Sequence, residues 1–81
     1  MPIAYVLITC NTGFLEEVLV KLKELSEVVE ADSLYFGPYD IIVRVEAGTI
    51  EDLNRALGTE LKKIANITSS VTLIKNEDFT T

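Results

Sequence analysis

Along this chain the spacing of hydrophobic residues switches repeatedly between two and three-to-four. That switching limits the fold more than any other feature. In residues 3–10 both alternating sets are apolar: Ala4, Val6 and Ile8 on one side, Ile3, Tyr5 and Leu7 on the other. A strand apolar on both sides is a central strand with both faces covered. Residues 14–27 change to helical spacing, with Leu15, Val18, Leu19, Leu22 and Leu25 on one stripe. Asn11 or Thr12 stands where it can cap that helix, and Glu17 and Lys21 are spaced for an i,i+4 pair. Residues 28–36 return to alternation, Val29, Ala31, Ser33 and Tyr35 against Glu30, Asp32, Leu34 and Phe36. Residues 41–46 follow as a third strand, with Ile41, Val43 and Val45 facing one way.

Thr49 reads as the N-cap of a second helix whose first turn carries Glu51 and Asp52. Ile50, Leu53, Leu57, Leu61 and Ile64 make its stripe, and Glu51 and Arg55 its i,i+4 pair. Gly58 lies inside this helix at a cost of about 1 kcal/mol, which close packing would explain. Lys62 and Lys63 suit the dipole at its C-terminus. In the last strand, residues 67–75, Thr68, Ser70 and Thr72 alternate with Ser69, Val71 and Leu73. Residues 76–81 are a polar tail.

The order β-α-β-β-α-β, with one apolar stripe per helix, lets the helices cover one face of a four-stranded antiparallel sheet. The expected class is α+β, a ferredoxin-like sandwich formed by residues 1–81 as a single domain. The other face is left bare. It is expected to carry Ile3, Tyr5, Leu7, Leu34 or Tyr35, and Ile42, mixed with Thr68, Ser70, Thr72 and Arg44. The chain has 81 residues, and a chain this short buries only about 60% of its unfolded surface. Yet 48% of its residues are hydrophobic, more than one small core hides. The bare face is therefore expected to pack against a second copy as a homodimer.

Several chemistries are excluded or weak. The net charge is −6, from 7 basic and 13 acidic residues, and no basic cluster is present, which argues against nucleic acid and anionic membranes. Histidine is absent and Cys10 is the one cysteine, so zinc sites and histidine-activated nucleophiles are excluded. Neither a metal nor a cofactor is expected. A lone Cys10 fits a reducing cytoplasm and reads as a small core residue. No apolar run approaches the roughly 20 residues of a membrane helix. Asn11-Thr12-Gly13 precedes a helix and could hold an anion, but that signal is weak and helix capping is the preferred reading. Asp40 and Arg44 share a strand face and are expected to form an ion pair.

The segment Phe36-Gly37-Pro38-Tyr39-Asp40 joins the second and third strands. Pro38 pre-sets φ for a tight turn and Gly37 leaves room for the bend. Two readings stand side by side. Asp40 bonds a backbone amide in an ordinary turn, or Tyr39 and Asp40 form a small polar pocket at the mouth of the strand.

Taken whole, residues 3–75 resemble the ligand-binding (RAM) domain of the Lrp/AsnC family. The resemblance rests on the entry Glu27-Val28-Val29-Glu30-Ala31, on Gly37-Pro38-Tyr39-Asp40 matching a Gly-x-Tyr-Asp signature, and on the Arg-bearing strand after it. A Leu-rich helix follows, and Thr68-Ser69-Ser70 stands where the family shows Thr-x-Thr. It implies a domain that dimerises through its sheets, often builds rings such as octamers, and binds amino acids between dimers. Carried over by position, Gly37 and Tyr39 shape the pocket, Asp40 takes the ligand's ammonium group, and Thr68 and Ser70 offer hydroxyls. Ser70 replaces the second Thr and keeps the hydroxyl; Ile64-Ala65 replaces a common Gly-Val. The chain starts at the first strand, so it resembles a stand-alone form without a helix-turn-helix domain. The implied function is an effector-sensing, oligomerising module that could partner full-length regulators. The competing readings are a ligand-free scaffold and a small dimeric enzyme on the same fold.

Overall fold

A computed structural model describes residues 1–75. The expected polar tail lies outside the described residues. Strand β1 is Ile3–Cys10, helix α1 Leu15–Lys23, β2 Val28–Ser33, β3 Ile41–Glu46, α2 Ile50–Arg55 and β4 Ile67–Ile74. The four strands form one antiparallel sheet in the order β2-β3-β1-β4. This is the α+β, ferredoxin-like arrangement expected from the alternating periodicities.

The core lies between the sheet and the helices. Ala4, Val6 and Ile8 of β1 and Ile41, Val43 and Val45 of β3 meet Val18 and Leu22 of α1 and Leu53 of α2. All nine are essentially inaccessible to water. The β1 set that was expected to face the helices does so. Both helices are amphipathic, and their stripes decide which way they turn.

Several boundaries differ from expectation. Helix α1 stops at Lys23 rather than 27, and no side chain caps its N-terminus. Asn11 is engaged elsewhere: its Nδ2 donates to Asn66 Oδ1 at 3.2 Å and its backbone N–H to Asn66 O at 2.9 Å. Thr49 does cap α2, its Oγ1 accepting from Asp52 N at 3.1 Å. After Arg55 the second helix loosens into a π turn, Ala56–Glu60, and then tightens into a 3-10 turn, Leu61–Lys63. A Cβ at Gly58 would meet nothing within 4 Å, so close packing is not what this glycine serves. Arg55 pairs with Asp52 and Lys21 with Glu24, each at i,i+3 rather than at i,i+4 with the expected Glu51 and Glu17, and Lys63 pairs with Glu60 at i,i+3. These pairs are exposed and contribute little.

Strand β2 ends at Ser33, not 36, because Ser33 opposite Ile41 is the last rung with a partner strand. Leu34 N donates to Asp40 O at 2.8 Å and closes the loop between them. Tyr35 and Phe36 project from that loop, 102% and 90% exposed, and neither belongs to the sheet.

The face of the sheet away from the helices is correspondingly different. One row reads Asp32, Ile42, Leu7, Val71, and the next Glu30, Arg44, Tyr5, Leu73. Val71 and Leu73 replace Ser70 and Thr72 on this face. Opposite Ile8 and Val6, Ser70 and Thr72 lie on the helix side. The parity of β4 is set by its register with β1, which its own alternation of hydroxyl and apolar residues left open.

Candidate functional site

The expected site residues gather at one end of β1. On one flank, Gly37, Tyr39 and Asp40 come from the β2–β3 loop. Gly37 has φ +122°, a conformation that side-chain-bearing residues rarely adopt. Asp40 is moored to β1 three times over. Its N–H donates to Ile8 O at 2.8 Å, its Oδ2 accepts from Cys10 N at 3.0 Å, and Cys10 Sγ lies 3.9 Å from the same oxygen. The amide-bonding turn thus describes Asp40 as it stands. Its Oδ1 has no hydrogen bond among the described residues, which leaves one carboxylate oxygen as an uncommitted acceptor. Burial pushes the Cys10 thiol above its ordinary pKa, and the neighbouring Asp40 carboxylate adds to the rise.

The expected Asp40–Arg44 ion pair does not form. Arg44 Nε lies 2.8 Å from Glu46 Oε2 instead, close but not aligned as a hydrogen bond. The backbone bond of Asp40 to Ile8 O and the Cys10 amide draw the carboxylate toward β1, away from Arg44.

On the other flank, Thr68 and Ser70 open β4. The register between β1 and β4 shifts at Thr9/Cys10, so that Ser69 faces Thr9, Ile67 faces Cys10, and Thr68 is the extra residue. Thr68 Oγ1 donates to Thr9 O at 3.0 Å. Both residues line a cleft of about 490 Å³ between β4 and the end of the second helix. Gly37, Tyr39 and Asp40 are not part of its lining. With β1 between them, the two flanks stand two strand spacings apart, about 10 Å. One chain therefore brings Thr68 and Ser70 together and Tyr39 and Asp40 together, but holds the two pairs on opposite sides of β1.

Two features escaped the sequence. Thr72 and Lys62 line the same cleft as Thr68 and Ser70; the parity of β4 and the end of the second helix place them there. The exposure of Tyr35 and Phe36 follows from the early end of β2, which alternation alone did not signal. Among the described residues no group of three or more Cys, Asp or Glu is placed to hold a metal ion. No helix among them is long and apolar enough to cross a membrane.

Comparison with known proteins bears on what this arrangement serves. Residues 3–77 match the model of the Lrp/AsnC ligand binding domain. The regulatory protein AsnC of Haemophilus influenzae is 38% identical over 65 residues, 78% of this chain and 41% of that protein. The crystal structure of FFRP-DM1 superposes with a TM-score of 0.87 at 34% identity, covering 94% of this chain and 100% of that one. AsnC of E. coli superposes at 0.81 with 29% identity, over 99% of this chain and 55% of that one. The chain thus spans two fifths to about half the length of the AsnC proteins it matches. Those relatives are regulators rather than enzymes.

Proposed function

The chain belongs to the Lrp/AsnC ligand binding domain family, and from that premise we propose that it is a sensor of amino acids that acts by assembling. It works in the cytoplasm on transcription regulation, without contacting DNA itself: its charge is −6, and counterion release from a phosphate backbone needs cations. The effector is an amino acid or a related small zwitterion. It occupies a site built from Gly37, Tyr39, Asp40, Thr68 and Ser70. Asp40 Oδ1 takes the ammonium group as a charge-assisted contact, and Ser70 offers its hydroxyl to polar ligand atoms.

The observation that carries this proposal is the separation of the two flanks. Asp40 lies on one side of β1 and the Thr68–Ser70 cleft on the other, so an amino acid that uses both kinds of contact needs a second copy beside it. Homodimers formed through the open sheet face, stacked into a ring, supply that neighbour. A ligand held between copies then stabilises the ring in proportion to its differential affinity for the assembled state. Full-length Lrp/AsnC regulators are natural co-assembly partners, since they carry the same fold.

Calorimetry across the twenty amino acids tests this. At least one binder is expected, and Asp40→Ala is expected to weaken it by about 1.5–3 kcal/mol, the range for a charged hydrogen bond. Asp40→Asn, which keeps an acceptor for Cys10 N–H, separates loss of charge from loss of the turn. A ring whose stability ignores every amino acid would leave assembly without sensing.

A further inference from the structure

We infer that the cleft between β4 and the end of the second helix binds a small monoanionic carboxylate lacking an ammonium group, such as a 2-oxo or 2-hydroxy acid, with Lys62 as its anchor. This goes beyond the proposal above and shares with it only Thr68 and Ser70.

The charges around the cleft are the reason. The chain carries 13 acids against 7 bases, yet no Asp or Glu lines this cleft. Lys62 does, and it has no ion-pair partner among the described residues, whereas Lys63 beside it is held by Glu60. An ammonium group brought here would meet a like charge and no carboxylate. A carboxylate would meet Lys62, a cation with no ion-pair partner among the described residues.

The hydroxyls point the same way. Ser70 and Thr72 follow each other on the helix side of β4, opposite Ile8 and Val6. Neither hydroxyl has a hydrogen-bond partner among the described residues, so each is free to donate to an anion. Thr68 is different: its proton is already given to Thr9 O. Two donors and one ammonium match the acceptors of one carboxylate and an oxygen on the adjacent carbon. Leu57 and Leu61 bound the cleft opposite β4, and its volume of about 490 Å³ lies within the range of small-molecule sites. A single cation in a chain of charge −6 favours a monoanion over a phosphate dianion.

Pyruvate, lactate, alanine and ethylamine share a short carbon skeleton and differ in charge, which makes them suitable probes. NMR titration of the Ser70 and Thr72 amides is expected to show saturable shifts with pyruvate or lactate and none with ethylamine. Lys62→Met is expected to weaken that binding at least about tenfold, the loss of one charged hydrogen bond, and Lys62→Arg to retain it. Thr72→Val provides an independent loss that leaves the charge in place. No saturable shift with either acid, unchanged affinity in Lys62→Met, or inorganic phosphate binding in preference to both acids would overturn the inference. The two proposals fail separately. Pyruvate binding with no amino-acid binder removes the amino-acid sensor, and an amino-acid binder with no saturable shift from pyruvate or lactate removes this site.

Discussion

At the scale of single residues, Asp40 and Cys10 form the pair on which the site turns. Asp40 was legible as a turn residue from its neighbours Gly37 and Pro38. That its carboxylate would hold the amide of Cys10, thirty positions earlier, depends on β1 and β3 lying side by side. The pair has a measurable consequence. The thiolate is the reactive form of cysteine, and both burial and the Asp40 charge disfavour it here. The folded protein should therefore be alkylated slowly near neutral pH and faster only above the ordinary thiol pKa. Asp40→Asn removes the repelling charge while keeping an acceptor for the Cys10 N–H. Its alkylation profile with iodoacetamide should move to lower pH but remain above that of an unfolded cysteine, because burial persists. An unmoved profile would mean that the carboxylate does not act on the thiol.

At the scale of elements, two glycines behave oppositely. Gly37 sits at φ +122°, where any side chain is strained, so Gly37→Ala should destabilise by about 1–3 kcal/mol. Gly58 lies in the π turn, Ala56–Glu60, with open space around it. Gly58→Ala should stabilise the fold by about 0.4–1 kcal/mol by restricting the unfolded chain. Thermal unfolding reads both, at about 4–8 °C per kcal/mol for a domain of this size. A lower Tm for Gly58→Ala would show that the wide turn needs the glycine's flexibility. Neither outcome could be read from the hydrophobic stripe, which runs through Gly58 without interruption. The same holds for β2, whose alternation continued to Phe36 although its pairing stopped at Ser33.

At the scale of the whole molecule, the sheet is covered once. The described residues span 39 × 25 × 17 Å, a flat slab with the helices on one side of the sheet and the other side open. Ile42, Leu7 and Val71 cross that face in one row, with Tyr5 and Leu73 in the next. Val71 and Leu73 are 39% and 52% exposed in the isolated chain, so charges placed there leave the core intact. Leu73→Lys and Val71→Lys should each shift sedimentation from dimer toward monomer, since burying one apolar side chain contributes about 1.5–3 kcal/mol. An unchanged dimer in both variants would place the contact elsewhere. A wild-type monomer at micromolar concentration would remove assembly from the proposed mechanism.

The sequence by itself determined the elements and which way most of them face. Its periodicities report local burial, and burial imposes a spacing of two on strands and of three or four on helices. It also carried the Gly-x-Tyr-Asp turn, because a positive φ and a turn acid are local demands. Only the tertiary structure decided the parity of β4, since Thr68, Ser70 and Thr72 are as compatible with one face as with the other until β1 sets their register. That decision moved Val71 and Leu73 to the open face and Ser70 and Thr72 to the cleft with Lys62. Pairing across strands is a property of two segments at once, and neither segment contains it alone.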